Sequence, residues 1–234
     1  MIPYGEFRGH AAKRPAMSRG SLVPTAVFVS GNGTNLQAVL DATRAGRLPL
    51  DIKLVVCDTP RARALDRAVS AGVPTAVLTW LRGSESRAEY ARRLASTVES
   101  SGARLILLLG WMHVLAPEFL EADFDGILNL HPSFLPDDPS ADEVALPDGT
   151  RSPVFRGAHA VRDAIAANVT MTGATLIEIT PAVDRGRVLS RRELALRADD
   201  DEASALARLH PIEHEVVIDG VTAWLRAKGL AAVS

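Results

Sequence analysis

TAVFVSGNGTN, from Thr25 to Asn35, passes from an apolar run straight into a turn built on two glycines. Thr25–Ser30 is rich in β-branched and aromatic residues with no polar alternation, the pattern of a strand buried on both faces. Beyond the turn, Leu36, Val39, Leu40 and Ala45 recur at helical spacing. A strand handed to a helix through a tight glycine turn is the opening unit of a βαβ crossover. The same alternation continues outward. Ile52–Asp58, Thr75–Trp80 and Arg104–Gly110 read as strands, and Arg61–Ala71 and Arg87–Ser100 as helices. The pattern predicts an α/β fold: a Rossmann-like, mostly parallel sheet with helices on both faces. Such sheets bind ligands beyond the carboxyl ends of their strands.

After residue 131 the pattern changes. Ser133–Val154 is rich in Pro and Asp and reads as loop. A helix follows at Gly157–Ala167, then strands at Gly173–Thr180 and Arg187–Leu196 separated by the turn VDRG, Val183–Gly186. These are expected to add antiparallel strands. Asp201–Leu225 reads as a long final helix interrupted at Pro211.

Bulk properties narrow the function classes. The chain has 234 residues, 47% of them hydrophobic and 23% charged, with a net charge of −2. That balance does not mark a nucleic-acid binder, and the longest apolar run, Leu105–Met112, is too short to span a bilayer. Cys57 is the single cysteine, which excludes an intrachain disulfide framework and a cysteine-based metal site and favours a cytoplasmic setting. Residues 1–24 are basic, broken by Gly and Pro, and lack the apolar stretch of a secretory signal. They are expected to be a disordered extension. Residues 25–229 are expected to form one domain, with a phosphate-binding half (25–131) and a C-terminal half (132–229).

GNGTN, Gly110 and NLH all fall at the expected ligand edge. The loop SGNGTN can turn backbone N–H groups toward an anion at a helix N-terminus, although it is neither G-x-G-x-x-G nor a P-loop, and a tight βα turn also needs glycine. In GILNLHPSFLP, Gly126–Pro136, strand alternation puts Asn129 and His131 on one face just before Pro132. Asp184, in the VDRG turn, becomes informative only if it lies beside an imidazole, where a carboxylate orients the ring and favours its charged form.

The stretches VFVSGNGTNLQAVLD, LGWMHVLAPEFL, ILNLHPSFLP, VDRG and IEHEVVIDGV occur in this order, and together they resemble the phosphoribosylglycinamide (glycinamide ribonucleotide) formyltransferases, a folate-dependent family. The resemblance covers about residues 25–229. It implies formyl transfer from 10-formyltetrahydrofolate, as co-substrate and without a metal, to the primary amine of glycinamide ribonucleotide. It further implies small-molecule partners alone, no nucleic acid or membrane, and a monomer or homodimer. Asn129, His131 and Asp184 match the family's catalytic trio. Gly33, Thr34 and Asn35 match its phosphate loop, and Glu213 its ribonucleotide-contacting glutamate. Arg87 matches an arginine facing substrate, and Gly157 and His159 its Gly-x-His. Met112, His113, Val114 and Leu115 match the segment lining the folate pocket. On this reading Asn129 and His131 point at one oxyanion.

Three departures stand out. His113 replaces an arginine common in bacterial members, which leaves the folate contact there weaker or pH-dependent. Ile177 replaces a histidine on the strand before Asp184. The acidic insertion 137–154 is longer than the few residues usual at this place in the family, and it is expected to lack a core of its own and to pack on the outer surface, away from both ligands. The alternatives are a formyltetrahydrofolate hydrolase, which usually carries an N-terminal regulatory domain, a formyltransferase for another amine, and a catalytically inactive ligand-binding homologue.

Overall fold

The computed structural model describes residues 20–230. The expected extension falls largely outside them, although Val23 and Pro24 already belong to the first strand. Strands β1 (Val23–Val29), β2 (Leu50–Cys57), β3 (Thr75–Val77), β4 (Leu105–Leu108) and β5 (Gly126–His131) alternate with helices α1 (Thr34–Arg44), α2 (Arg63–Ser70), α3 (Arg87–Ser100) and the short α4 (Pro117–Leu120). The chain continues through β6 (Glu143–Ala145), β7 (Arg151–Pro153), α5 (Ala160–Ala166), β8 (Met171–Glu178), β9 (Arg187–Ala195) and α6 (Glu202–Ala227).

The main sheet has seven strands in the order β3-β2-β1-β4-β5-β8-β9. The first five run parallel, and β8 and β9 are antiparallel additions. Neighbouring residues of each inner strand enter opposite cores, as the pleat requires. Val27, Val55 and Leu107 join α1 and α6 on one face, and Phe28, Val56 and Ile106 join α3 and α4 on the other. The near-continuous apolar runs follow from this double burial. The order reverses between β1 and β4, so their carboxyl ends diverge into a crevice.

Three expectations need correction. The third strand spans only Thr75–Val77. Beyond it the Leu78 carbonyl accepts from Tyr90 Oη and the Thr79 carbonyl from Arg93, so side chains of α3 replace the ladder. The final helix is unbroken at Pro211. Pro211 and Ala207, the residue whose carbonyl loses its donor, both face solvent, where water can satisfy the group. The insertion is not all loop. β6 and β7 pair as a two-stranded ribbon, and Val144 and Leu146 bury against Phe134, with Val154 and Met171 packed alongside. The small core that composition argued against is completed by side chains from outside the insertion.

α6 docks closely on β8 at Gly220. A Cβ there falls 2.5 Å from Leu176 Cδ2 and 2.9 Å from Leu176 Cβ, which explains a glycine in a helix interior where it otherwise costs stability. Gly220→Ala is expected to destabilise the fold by about 1–3 kcal/mol through overpacking, read as a lower urea midpoint.

Candidate active site

The carboxyl end of β5 presents the cluster. Asn129 and His131 share a face, and the β8–β9 connection carries Asp184 back to them. Asn129 Nδ2 donates to Asp184 Oδ1 at 3.3 Å, and His131 Nδ1 lies 3.6 Å from Asp184 Oδ2. The second distance is that of an ion pair rather than a hydrogen bond, so the Nδ1 edge remains able to serve another partner. His131 Nε2 is 2.9 Å from the Phe155 carbonyl. The Gly157 N–H donates to Asp184 Oδ2 at 2.8 Å. The His131 and Asp184 side chains are only 4% and 8% exposed, and a carboxylate so enclosed requires such donors. Asp184 has φ 50°, in the left-handed region, a conformation that persists only where its surroundings impose it. Thr175, buried opposite His131, accepts from Leu135 N and donates to the Ser133 carbonyl, fixing how the chain leaves the strand.

These groups form one wall of a cleft of about 250 Å³. Asn35, Met112, His113, Val114, Leu115, Gly157 and Glu213 also line it. Met112 and Val114 are more than half exposed, an apolar lip open to solvent. His113 is tied back to Asp58 at 3.0 Å and packed edge-on against Trp80, Tyr90 and Trp111.

Across the cleft, Glu213 of α6 is buried, accepting from Asn35 Nδ2 at 3.0 Å and pairing with His210 Nδ1 at 2.9 Å. Asn35 Oδ1 is buried and has no hydrogen-bond partner among the described residues. The hydrogen bond to Glu213 raises His210 above its ordinary range, against the effect of partial burial.

α1 begins at Thr34 with no side-chain cap and no acid in its first turn, which leaves its N-terminal N–H groups open to an anion. Gly33 precedes it at φ 72°, and a Cβ there would fall 2.6 Å from Ala64 Cβ. This glycine is therefore required by packing on α2 as well as by backbone conformation.

Two expected residues lie elsewhere. Arg87 donates to the Val114 carbonyl at 2.8 Å and stacks over Trp80, where it supports the segment Met112–Leu115 from outside the cleft. His159 is exposed at the start of α5. Other contributors were not anticipated. The Phe155 carbonyl and Gly157 N–H act through the backbone, which sequence does not display. Arg67 donates to the Asn32 carbonyl at 2.9 Å and braces the glycine loop; only its place on the helix after β2 hinted at this. Arg156 donates to the Asp184 carbonyl at 3.3 Å; it directly precedes the Gly-x-His, and that was the available signal.

A parallel sheet with an anion-ready glycine loop, an apolar cleft and an amide–imidazole–carboxylate cluster at its carboxyl edge defines an α/β enzyme of group transfer to small molecules. Residues 24–221 match the family model described as formyl transferase, and the chain belongs to that family. It is 32% identical over 210 residues to the phosphoribosylglycinamide formyltransferase of Schizosaccharomyces pombe, covering 83% of this chain and 93% of that protein. It is also 32% identical over 210 residues to the trifunctional purine biosynthetic protein adenosine-3 of Drosophila melanogaster, covering 89% of this chain but only 14% of that longer protein. The crystal structure of glycinamide ribonucleotide transformylase 1 from Symbiobacterium toebii superposes with a TM-score of 0.77 at 29% identity, covering 92% of each chain. Among the described residues no helix is long and apolar enough to cross a membrane.

Two outcomes follow from this geometry. Gly33→Ala is expected to lower the melting temperature and to weaken anion binding together, because the loop must shift off α2; a more polar substitution there suffers the same collision. His210, whose affinity for a proton rises on folding, contributes stability that is complete below its unfolded pKa of about 6.5 and is lost as pH rises through the folded value. Urea unfolding of His210→Gln is therefore expected to show a larger deficit at about pH 5 than at about pH 9.

Proposed function

We propose that this chain transfers the formyl group of 10-formyltetrahydrofolate to the primary amine of glycinamide ribonucleotide, a step of purine biosynthesis. The carrying observation is the Asp184 carboxylate, enclosed at the cleft wall and faced by Asn129, His131 and the Gly157 N–H. The amine lone pair attacks the formyl carbon, a C–N bond forms, and the carbonyl π pair becomes an oxyanion. Asn129 has a second N–H beyond the one given to Asp184, and with the Nδ1 edge of His131 it is placed to stabilise that charge. Asp184 accepts the proton leaving the amine, directly or through water. Collapse re-forms the carbonyl, breaks the bond to folate N10, and leaves N10 as an amine that takes up a proton. No enzyme nucleophile is required, since the substrate provides one.

The remaining roles follow the cleft. Met112, Val114 and Leu115 form the folate wall, with His113 anchored among its aromatics. Gly33, Thr34 and Asn35 receive the phosphate end of the ribonucleotide, and Glu213 a polar part of the same substrate. The names of the relatives and the family membership support this reading.

The test is turnover of 10-formyltetrahydrofolate with and without glycinamide ribonucleotide. Amine-dependent turnover is expected. Turnover without the amine identifies a hydrolase, and none at all a binding protein. Asn129→Ala, His131→Ala and Asp184→Asn are each expected to reduce kcat at least about a hundredfold in folded protein. Near-normal kcat in a folded Asp184→Asn enzyme would show the mechanism to be wrong.

A further inference from the structure

The insertion after β5 touches the catalytic loop through charge. Its segment Pro139–Asp142 encloses two guanidiniums. Arg185 donates to the Pro139 carbonyl at 2.9 Å, the Ser140 carbonyl at 3.0 Å and Asp142 Oδ1 at 2.6 Å. Arg156 donates to the Ala141 carbonyl at 2.7 Å and to the same Asp142 Oδ1 at 3.2 Å. The segment is shaped for this by Asp138, whose carboxylate accepts from both the N–H and the hydroxyl of Ser140.

Both arginines border Asp184. Arg185 follows it in sequence, and Arg156 donates to its carbonyl and precedes the Gly157 N–H that holds its carboxylate. Burial and the neighbouring Arg185 charge both make Arg156 a less comfortable cation than usual. Two cations in this position need an anion. Asp142 and Asp184 both raise Arg156, and among the described residues Asp142 is the carboxylate that makes a side-chain ion pair with it.

We propose that Asp142 is a positioning residue for the reaction: it is the counter-ion that keeps the Arg156 and Arg185 guanidiniums on the insertion, so that the Asp184 carboxylate stays with Asn129, His131 and the Gly157 N–H. The inference rests on the reading of Asp184 as the proton acceptor. Its energetic contribution to folding is small, because the Asp142 side chain is 77% exposed and exposed ion pairs stabilise little. The effect is on where charge sits. Without Asp142 the carboxylate left to attract Arg156 is that of Asp184, and the Arg185 charge, which Asp138 alone then faces, still pushes Arg156 toward it. Pairing there turns it out of its left-handed setting, and small misplacements of a catalytic group are costly in rate.

The test compares kcat, both KM values and melting for the parent enzyme, Asp142→Asn, Asp142→Glu and the double variant Asp142→Asn/Arg185→Gln. Asp142→Asn keeps the shape and an acceptor but loses the charge. We expect its kcat to fall at least about fivefold, with both KM values within about threefold and melting unchanged. Asp142→Glu should recover at least half of the parent rate. The double variant should be faster than Asp142→Asn alone, since it removes one of the two uncompensated cations; a merely structural tether would make it slower. A smaller loss in Asp142→Asn, or a double variant no faster than the single one, overturns the proposal while the parent's amine-dependent turnover leaves the function standing. A parent without amine-dependent turnover removes both. Should Asp142→Asn melt early, the order of the double variant against it and the recovery by Asp142→Glu decide alone.

Discussion

The enclosed carboxylate of Asp184 is the constraint around which this end of the molecule is arranged. A carboxylate 8% exposed is costly unless its oxygens are given donors. Here one oxygen receives Asn129 and the other receives the Gly157 N–H, with His131 close by. Each donor requires a different part of the fold. Asn129 and His131 need β5 to end where it does, Gly157 needs the chain after the insertion to return to the sheet, and Asp184 needs a turn in the left-handed region. The carboxylate is therefore fixed by the meeting of three separate segments, and none of them holds it alone.

Much of this architecture was legible in the sequence because burial on both faces leaves a plain signature. Phe28 and Val27 diverge into opposite cores, and a run such as TAVFV follows directly from that. The face shared by Asn129 and His131 was legible for the same reason, since strand periodicity fixes it. What escaped depended on other parts of the fold. Pro211 reads as a break until its position on the solvent face of α6 is known. The hairpin of the insertion reads as loop because part of its apolar cover, Phe134 and Met171, lies outside it. Arg87 is charged and was expected to face substrate, yet a backbone carbonyl and an indole ring satisfy it. Nothing in the residue type distinguishes these two fates.

Ile177 shows how a local departure is accommodated. It stands directly across from Asn129 on β8 and is fully buried. An imidazole at this position would have required its own polar partners in the sheet. The isoleucine instead extends the apolar core up to the edge of the cluster, and the Asp184 oxygens take their donors from β5 and from the backbone at Gly157. The low polarity this creates strengthens the contacts that remain.

The cleft lies where the strand order reverses, and this explains why the molecule can carry an insertion beside its reactive end. At the switch point, connections leave the sheet in opposite directions, and the space between them belongs to ligands. The loop after β1 and the segment after β4 flank that space, joined by the hydrogen bond from Met112 N to Ser30 Oγ at 3.1 Å. α6 closes its far side by sending Glu213 to Asn35 at the start of α1. The chain leaving β5 is one edge of this frame that need not cross it, and no residue of 137–154 lines the cleft. Length added there lies beside the cleft and leaves the ligand space open. It still meets the Asp184 turn, because β8 and β9 bring Asp184 back to the same edge. An insertion at this position thus leaves the cleft open while its Pro139–Asp142 segment holds the arginines beside Asp184.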